Sequence, residues 1–181
     1  RVVAFADPLR DERGGTFSGG EYVDEINGFE FLSEAYRATD SSYSARVTVP
    51  VLWDKETGVI VNNESADILR MLGTVFAPLA EHPMELYPEP LRAEIDALGE
   101  FIYDDVNNGV YKAGFARRQE VYEREVRSLF AALDQLDDRL AQRRFLFGAL
   151  PVETDIRLFT TLVRFDPVYQ IHFCLLYTSD A

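Results

Sequence analysis

The chain has 181 residues, of which 47% are hydrophobic and 13% aromatic, enough for one or two small domains with a real core rather than a disordered polymer. Its 18 basic and 31 acidic residues leave a net charge of −13, which disfavours phosphate backbones and anionic membranes as partners. No apolar stretch approaches the length of a membrane span, so the sequence predicts neither nucleic acid nor membrane binding and fits a reducing cytoplasm.

In chain order, Val2 to Phe5 is a β-like apolar run leading to Pro8. Asp11 to Asp24, holding Gly14, Gly15, Gly19 and Gly20, reads as a long flexible loop, and Phe29 to Ala38 as a short helix. Val47, Val49, Val51 and Trp53 then alternate as β-formers, and Val59, Ile60 and Val61 resume the pattern after a polar turn ending in Gly58. This is a predicted hairpin. Pro50 cannot donate to a central ladder, so it belongs at an edge or bulge, with a cis peptide bond compatible with that place. The backbone beside it is left open for a peptide-like ligand to bond Val51 as a short added strand.

Asn63, Glu64 and Ser65 precede the apolar series Ile68, Leu69, Leu72 and Phe76, which predicts a helix start. Free N–H groups and a partial positive charge there suit a ligand carboxylate at Ser65, while Glu64 suits an ammonium group. Together these match the ends of a γ-glutamyl peptide. An ordinary hairpin followed by an N-cap accounts for the same residues, and spacing alone leaves both readings open.

Pro78, Pro83, Pro88 and Pro90 mark an extended linker, after which the sequence is helical in period. Leu91, Ile95, Leu98 and Ile102 bury one face of a helix running to Tyr103. The Asn107-Asn108-Gly109 cluster should bend it, ahead of Tyr111 and Phe115. Gln119 to Arg143 is a bundle helix with the stripe Tyr122, Val126, Leu129, Phe130, Leu133, Leu136 and Leu140. A third helix begins near Asp155 and carries Ile156, Leu158, Phe159, Leu162 and Val163, the expected core helix. Asp166-Pro167, before Tyr169, reads as a turn at its end. His82 and His172 are isolated, and the single cysteine, Cys174, has no partner, so no metal site is expected.

The order strand, Val-Pro, strand, Glu-Ser resembles the glutathione site in the thioredoxin-like domain of glutathione transferases. More narrowly, RVTVPVLWD, IVNNESADILRM, NNGVYKAGFA and DIRLFTTLVRFDPVY are similar to the glutathionyl-hydroquinone reductases, the xi-class transferases, in a likeness reaching to about His172. The resemblance implies a fold of α/β plus all-α type. Residues 1–77 would be a partial thioredoxin-like domain, 78–90 a linker, 91–173 a transferase-type helical domain, and 174–181 a probable non-native tail. Val2 to Phe5 would match the second strand of the thioredoxin-like domain, so the first strand and helix would be missing.

For the site, the resemblance implies glutathione as co-substrate, held by Pro50, Val51, Glu64 and Ser65. Tyr111 would face the glutathione sulfur and a quinol-type substrate, able to donate to a developing thiolate or phenolate. Without the resemblance, a buried aromatic with a satisfied hydroxyl is the favoured reading of Tyr111. Tyr169 is a further substrate-side candidate. The family's nucleophile is a cysteine in a Cys-Pro-Trp-Ala motif, and a thiolate at a helix N-terminus suits the reaction. No such motif occurs in this chain, so the chain by itself should be inactive, and the intact protein should be a homodimer. Two positions depart from the family pattern. Gly15 stands where a tryptophan touches glutathione, and Val152 replaces the hydroxyl of the Ser/Thr-x-x-Asp box that opens the core helix, retaining Asp155. The first departure keeps a non-catalytic binding module of the same fold as the alternative.

Overall fold

A computed structural model describes residues 10–11, 13–20 and 22–175. The run Val2 to Phe5 and the tail beyond residue 175 lie outside the described residues. The chain divides into two compact units, Arg1–Ile68 and Leu69–Ala181.

In the first unit, β1 (Arg10–Asp11) pairs antiparallel with β2 (Gly14–Gly15) inside the segment predicted as a loop. Gly14 has φ +85°, and a Cβ there would lie 2.6 Å from Val47 Cγ1, so both conformation and space require glycine. Helix α1 (Leu32–Thr39) follows. Glu34 Oε1 accepts the N–H groups of Glu30 and Phe31, each at 2.8 Å, closing the helix start. Leu32, Ala35 and Tyr36 form a small buried cluster, against which Phe29, Val47, Val51, Trp53 and Ile60 pack.

The predicted hairpin is present but shorter than the valine alternation suggests. Only β3 (Leu52–Asp54) and β4 (Val59–Asn62) pair, antiparallel, with an irregularity between Leu52 and Trp53. Pro50 lacks an N–H for a ladder, and β3 starts two residues beyond it. The turn closes on Asp54, whose Oδ1 accepts Glu56 N–H at 2.9 Å and whose Oδ2 accepts the Thr57 hydroxyl at 2.6 Å. These bonds, that to Thr57 foremost, hold the Asp54 carboxyl below its ordinary pKa of 3.8. Helix α2 (Ser65–Gly73) then begins where the Asn-Glu-Ser signal places it.

The second unit is helical. Two short 3₁₀ turns, Ala77–Leu79 and Glu89–Leu91, occupy the proline-rich stretch and lead to α3 (Arg92–Phe101). The bend expected at the asparagines is a π-helical segment, Ile102–Asn107, in which Asn108 N–H reaches Tyr103 C=O at 2.8 Å. Helix α4 (Gly109–Gly114) continues it. Helix α5 (Gln119–Ala141) buries Val126, Leu129, Ala132 and Leu136, one stripe at helical spacing, against Ile102, Val106, Val110 and Ala113.

Helix α6 (Glu153–Arg164) differs from the expected core helix. Leu158 is buried, but Phe159 is 62% exposed, and Leu162 and Val163 are also exposed. Its buried face carries Glu153, Thr154, Leu158 and Thr161, a mixed stripe in which Leu158 joins the apolar core and Glu153 and Thr161 have polar partners. Asn107 Nδ2, for one, donates to Thr161 Oγ1 at 2.6 Å and to Arg157 C=O at 3.0 Å. The N-terminus of α6 works as half a capping box. Val152 has no acceptor to offer, but Asp155 Oδ2 accepts Val152 N–H at 2.9 Å, and its Oδ1 accepts Leu146 N–H at 2.8 Å. A second π-helical segment, Phe165–Gln170, carries the chain past Pro167 into α7 (Ile171–Phe173). The predicted Asp-Pro turn is therefore a widened helical turn, in which the missing N–H of proline is tolerated.

Candidate glutathione and substrate-side sites

The first unit holds the candidate peptide-binding residues. The Val49-Pro50 peptide bond is cis. Pro50 is exposed and Val51 half-buried, with the Val51 side chain packed on the Leu32–Tyr36 cluster while its backbone stands ahead of the first ladder residue, Leu52. At the other candidate point, Asn62 Oδ1 accepts Glu64 N–H at 2.7 Å, and Glu64 C=O accepts Ile68 N–H at 3.0 Å. That makes Glu64 the residue from which α2 springs. The side chains of Glu64 and Ser65 are exposed, and the first N–H groups of the helix have no intrahelical acceptor. The arrangement can accept a carboxylate at the helix start and an ammonium at Glu64.

A polar triangle that the sequence reading did not single out links these two stretches. The Tyr36 hydroxyl donates to Thr48 C=O at 2.8 Å. Asn63 Nδ2 donates to the Tyr36 hydroxyl at 3.2 Å and to Thr48 Oγ1 at 3.1 Å. Tyr43, whose ring lies 4.7 Å from that of Tyr36, donates its hydroxyl to Arg46 C=O at 2.7 Å. Thr39 Oγ1, at the end of α1, accepts Ile60 N–H at 2.8 Å. Only a buried tyrosine hydroxyl needing a partner could have hinted at this in sequence, and Tyr36 carries no local signal of burial.

The second unit brings together the two candidate tyrosines. Tyr111 lies in α4 just after the first π-helical segment, and Tyr169 lies within the second. Their hydroxyl oxygens are 3.0 Å apart and their rings meet edge to face at 5.5 Å, with Phe115 and Phe173 completing the cluster. Tyr111 is 42% exposed, whereas Tyr169 is 5% exposed. Burial, reinforced by the bond to Tyr111, pushes the Tyr169 hydroxyl up to about 12. Tyr169 therefore keeps its proton at neutral pH. If it donates to Tyr111, the proton of Tyr111 is free to point at solvent or a bound oxygen.

The same unit contains a charge cluster built around a buried carboxylate. Arg70, in the last turn of α2, grips Glu153 through Nε at 3.1 Å and Nη2 at 2.5 Å, and meets Asp96 at 2.8 Å. Glu153 is 1% exposed. The Arg70 guanidinium also lies 3.8 Å over the Tyr87 ring, and Tyr87 donates its hydroxyl to Asp96 at 2.6 Å. The Tyr87 bond, then Arg70, hold the Asp96 carboxyl below its ordinary value, and the same hydrogen bond raises the Tyr87 hydroxyl. Glu153 is thus a buried charge with its partner in place, a structural ion pair.

Among the described residues no group of three or more His, Cys, Asp or Glu side chains is placed to hold a metal ion. No described helix is long and apolar enough to cross a membrane.

Residues 119–176 match the model of the glutathione S-transferase C-terminal domain. Over 174 residues the chain is 50% identical to glutathionyl-hydroquinone reductase YqjG of Escherichia coli, covering 94% of this chain and 53% of that protein. The glutathione-bound structure of that protein superposes with a TM-score of 0.91 at 48% identity, covering 97% of this chain and 58% of the other. The chain is similar in sequence and fold to the xi-class glutathione transferases. A second member, glutathione transferase Xi 1 from Trametes versicolor, superposes with a TM-score of 0.89 at 43% identity, over 97% of this chain and 63% of the other. The fold is that of this family, a thioredoxin-like part followed by a helical domain. The chain spans about half the length of the curated relatives it matches, as the 53% coverage of the reductase illustrates.

Proposed function

We propose that this chain is the glutathione-holding and substrate-side part of an enzyme that reduces glutathionyl-hydroquinones to hydroquinones. The observation that carries the reading is the pairing, within one unit, of an open backbone edge at Pro50 and Val51 with an exposed Glu64-Ser65 helix start. The cysteinyl backbone of glutathione would bond the Val51 amide and carbonyl. Its γ-glutamyl carboxylate would take the N–H groups and hydroxyl at Ser65, and its ammonium would take Glu64.

In the reaction, a cysteine thiolate attacks the glutathione sulfur of the substrate, and the carbon–sulfur bond to the ring breaks. The aromatic carbon takes a proton as hydroquinone leaves, and a second glutathione thiol resolves the enzyme–glutathione disulfide. This chain contributes the Tyr111 hydroxyl, set by Tyr169, as a hydrogen-bond donor to a phenolic oxygen of the departing ring. Its sole cysteine, Cys174, is outside any motif that would activate it. A cytoplasmic, homodimeric parent protein and a quinol-type small molecule complete the proposal.

Calorimetry with glutathione tests the site. The chain should bind it, and Glu64→Ala should weaken binding about tenfold; equal heats from both proteins reject the assignment. Mixed with glutathione and a glutathionyl-hydroquinone, the chain alone should give no turnover above buffer. A second reading, a non-catalytic glutathione-binding module, is favoured by Gly15, which has no side chain for the contact a tryptophan makes in the family. A Cys-Pro-Trp motif in the coding sequence upstream of Arg1 selects the reductase; a serine or no motif there selects the module.

A further inference from the structure

We propose that Tyr36 is a positioning residue of the glutathione site, acting through Thr48 and Asn63 to fix the distance between the two places that hold the ends of the peptide. The inference rests on the glutathione reading above. Its basis is where the polar triangle falls in the chain. Thr48 stands two residues before Pro50 and three before Val51, and Asn63 immediately precedes Glu64. Neither neighbour of the candidate ligand is fastened to the other by a ladder, because β3 begins only at Leu52 and β4 ends at Asn62. The Tyr36 hydroxyl, together with the direct bond from Asn63 to Thr48 Oγ1, bridges the gap.

Tyr36 can do this because its ring is fixed before the hydroxyl acts. It is 5% exposed, sits on the buried face of α1, and stacks against Tyr43. Its single proton goes to Thr48 C=O, the shortest of its bonds at 2.8 Å. The oxygen is then an acceptor for the Asn63 amide, whose second hydrogen serves Thr48 Oγ1. The Thr48 amide nitrogen and Oγ1 also lie 3.4 and 3.2 Å from the Tyr36 oxygen, so the three residues form one connected hydrogen-bond network. Tyr43 closes the turn before this loop by donating its hydroxyl to Arg46 C=O.

The consequence is physical rather than chemical. A ligand gripped at two points gains from the second grip only if the protein already holds both at the matching span; otherwise binding must also order the loops. Tyr36 touches neither end of the proposed ligand. Losing its hydroxyl should therefore leave each half-site intact while weakening the intact peptide.

The test compares glutathione with γ-glutamyl methylamide, which presents only the γ-glutamyl end, on the full chain and its variants. Tyr36→Phe and Asn63→Ala should each weaken glutathione about tenfold and leave the half-ligand within twofold. Thr48→Val should do the same, and Thr48→Ser, which keeps the oxygen, should restore parental affinity. Asn63 is exposed, so its variant keeps the buried cluster even if Tyr36→Phe perturbs it. Amide hydrogen exchange in the absence of ligand gives a second readout, in which the variants should speed exchange in 47–51 and 62–65 together. Unchanged exchange with unchanged glutathione affinity overturns the proposal and leaves the glutathione site standing. Equal loss for glutathione and half-ligand also overturns it. If the parental chain binds no glutathione yet Tyr36→Phe still loosens both loops, the ligand reading fails and the clamp stands.

Discussion

The two units of this chain are held together by different means. In Leu69–Ala181 the helices bury a continuous apolar set, with Ile102, Val106, Val110, Leu129 and Leu146 wholly out of solvent, and polar groups enter as discrete ties such as Arg70–Glu153 and Asn107–Thr161. In Arg1–Ile68 the buried apolar cluster is centred on Leu32, Ala35 and Tyr36, and much of the order comes from side chains bonding backbone, across the fold from Tyr36 to Thr48 and between Thr39 and Ile60, and locally from Tyr43 to Arg46 and from Asp24 to Ile26 and Phe29. Apolar packing is non-directional and tolerates displacement, whereas a hydrogen bond fixes distance and angle. A loop-built binding edge needs the second kind of support, and a helical scaffold can rest on the first.

Paired core truncations, followed by urea unfolding, are the strongest way to break this contrast. Leu129→Ala should cost about 3 kcal/mol, since the side chain is wholly out of solvent in the larger core cluster. Leu32→Ala should cost about 2 kcal/mol, because the small cluster loses fewer contacts and can relax. Equal costs would mean that the first unit is as core-dependent as the second.

Next in size, Arg70→Met should destabilise by about 2 kcal/mol, the cost of taking the closest partner from the buried Glu153 carboxylate, reduced because Arg70 is partly exposed and Arg157 stays 4.0 Å away. The cluster also sets a pH signature. Asp96 is depressed below 3.8 in the fold, so its contribution is present above that pH and is lost as the pH falls through the lowered value. Tyr87 is raised above 10.0, so its contribution is present below that pH and is lost as the pH rises through the raised value. Asp96→Ala should flatten both limbs of a stability–pH curve; a change on the acid limb alone would remove Tyr87 from the account.

Smaller effects sharpen the role of polar ties within the helical unit. Tyr111→Phe should cost about 1 kcal/mol because the buried Tyr169 hydroxyl loses its partner, whereas Tyr169→Phe should cost less because the exposed Tyr111 hydroxyl finds water. In the reverse order of costs, burial would not be what makes the pair asymmetric. Smallest of all, Val152→Thr should stabilise by about 0.5 kcal/mol by supplying the missing capping oxygen to α6 with little change in volume. A loss of stability would show that the valine methyl groups outweigh a cap.

The parts of this protein legible in sequence are those governed by local pattern. The 3.6-residue stripe of α5, the start of α2 at Ser65 and the bend at Asn107-Asn108 all follow from neighbours within a turn or two. Pro50 announced an interrupted ladder because a missing N–H is a property of the residue itself. What the pattern missed has a common cause. Phe159, Leu162 and Val163 have the right period for a core face, yet α6 turns Leu158 and Thr161 inward, where Asn107 bonds Thr161 and the Arg157 carbonyl, a pairing that periodicity cannot foresee.

The sequence by itself supplied the candidate residues for the ends of a peptide site, Pro50-Val51 and Glu64-Ser65, because an amide nitrogen without a proton, a carboxylate and a hydroxyl carry their chemistry wherever the chain puts them. It also supplied, through four ordered segments, the likeness to one transferase class. Only the tertiary structure decided that Tyr36, twelve residues from Thr48 and twenty-seven from Asn63, ties the flanks of that site. It likewise decided that Tyr169 holds the hydroxyl of Tyr111 across fifty-eight residues. Such bonds depend on where three separate backbone stretches converge, and convergence is a property of packing that no local spacing encodes.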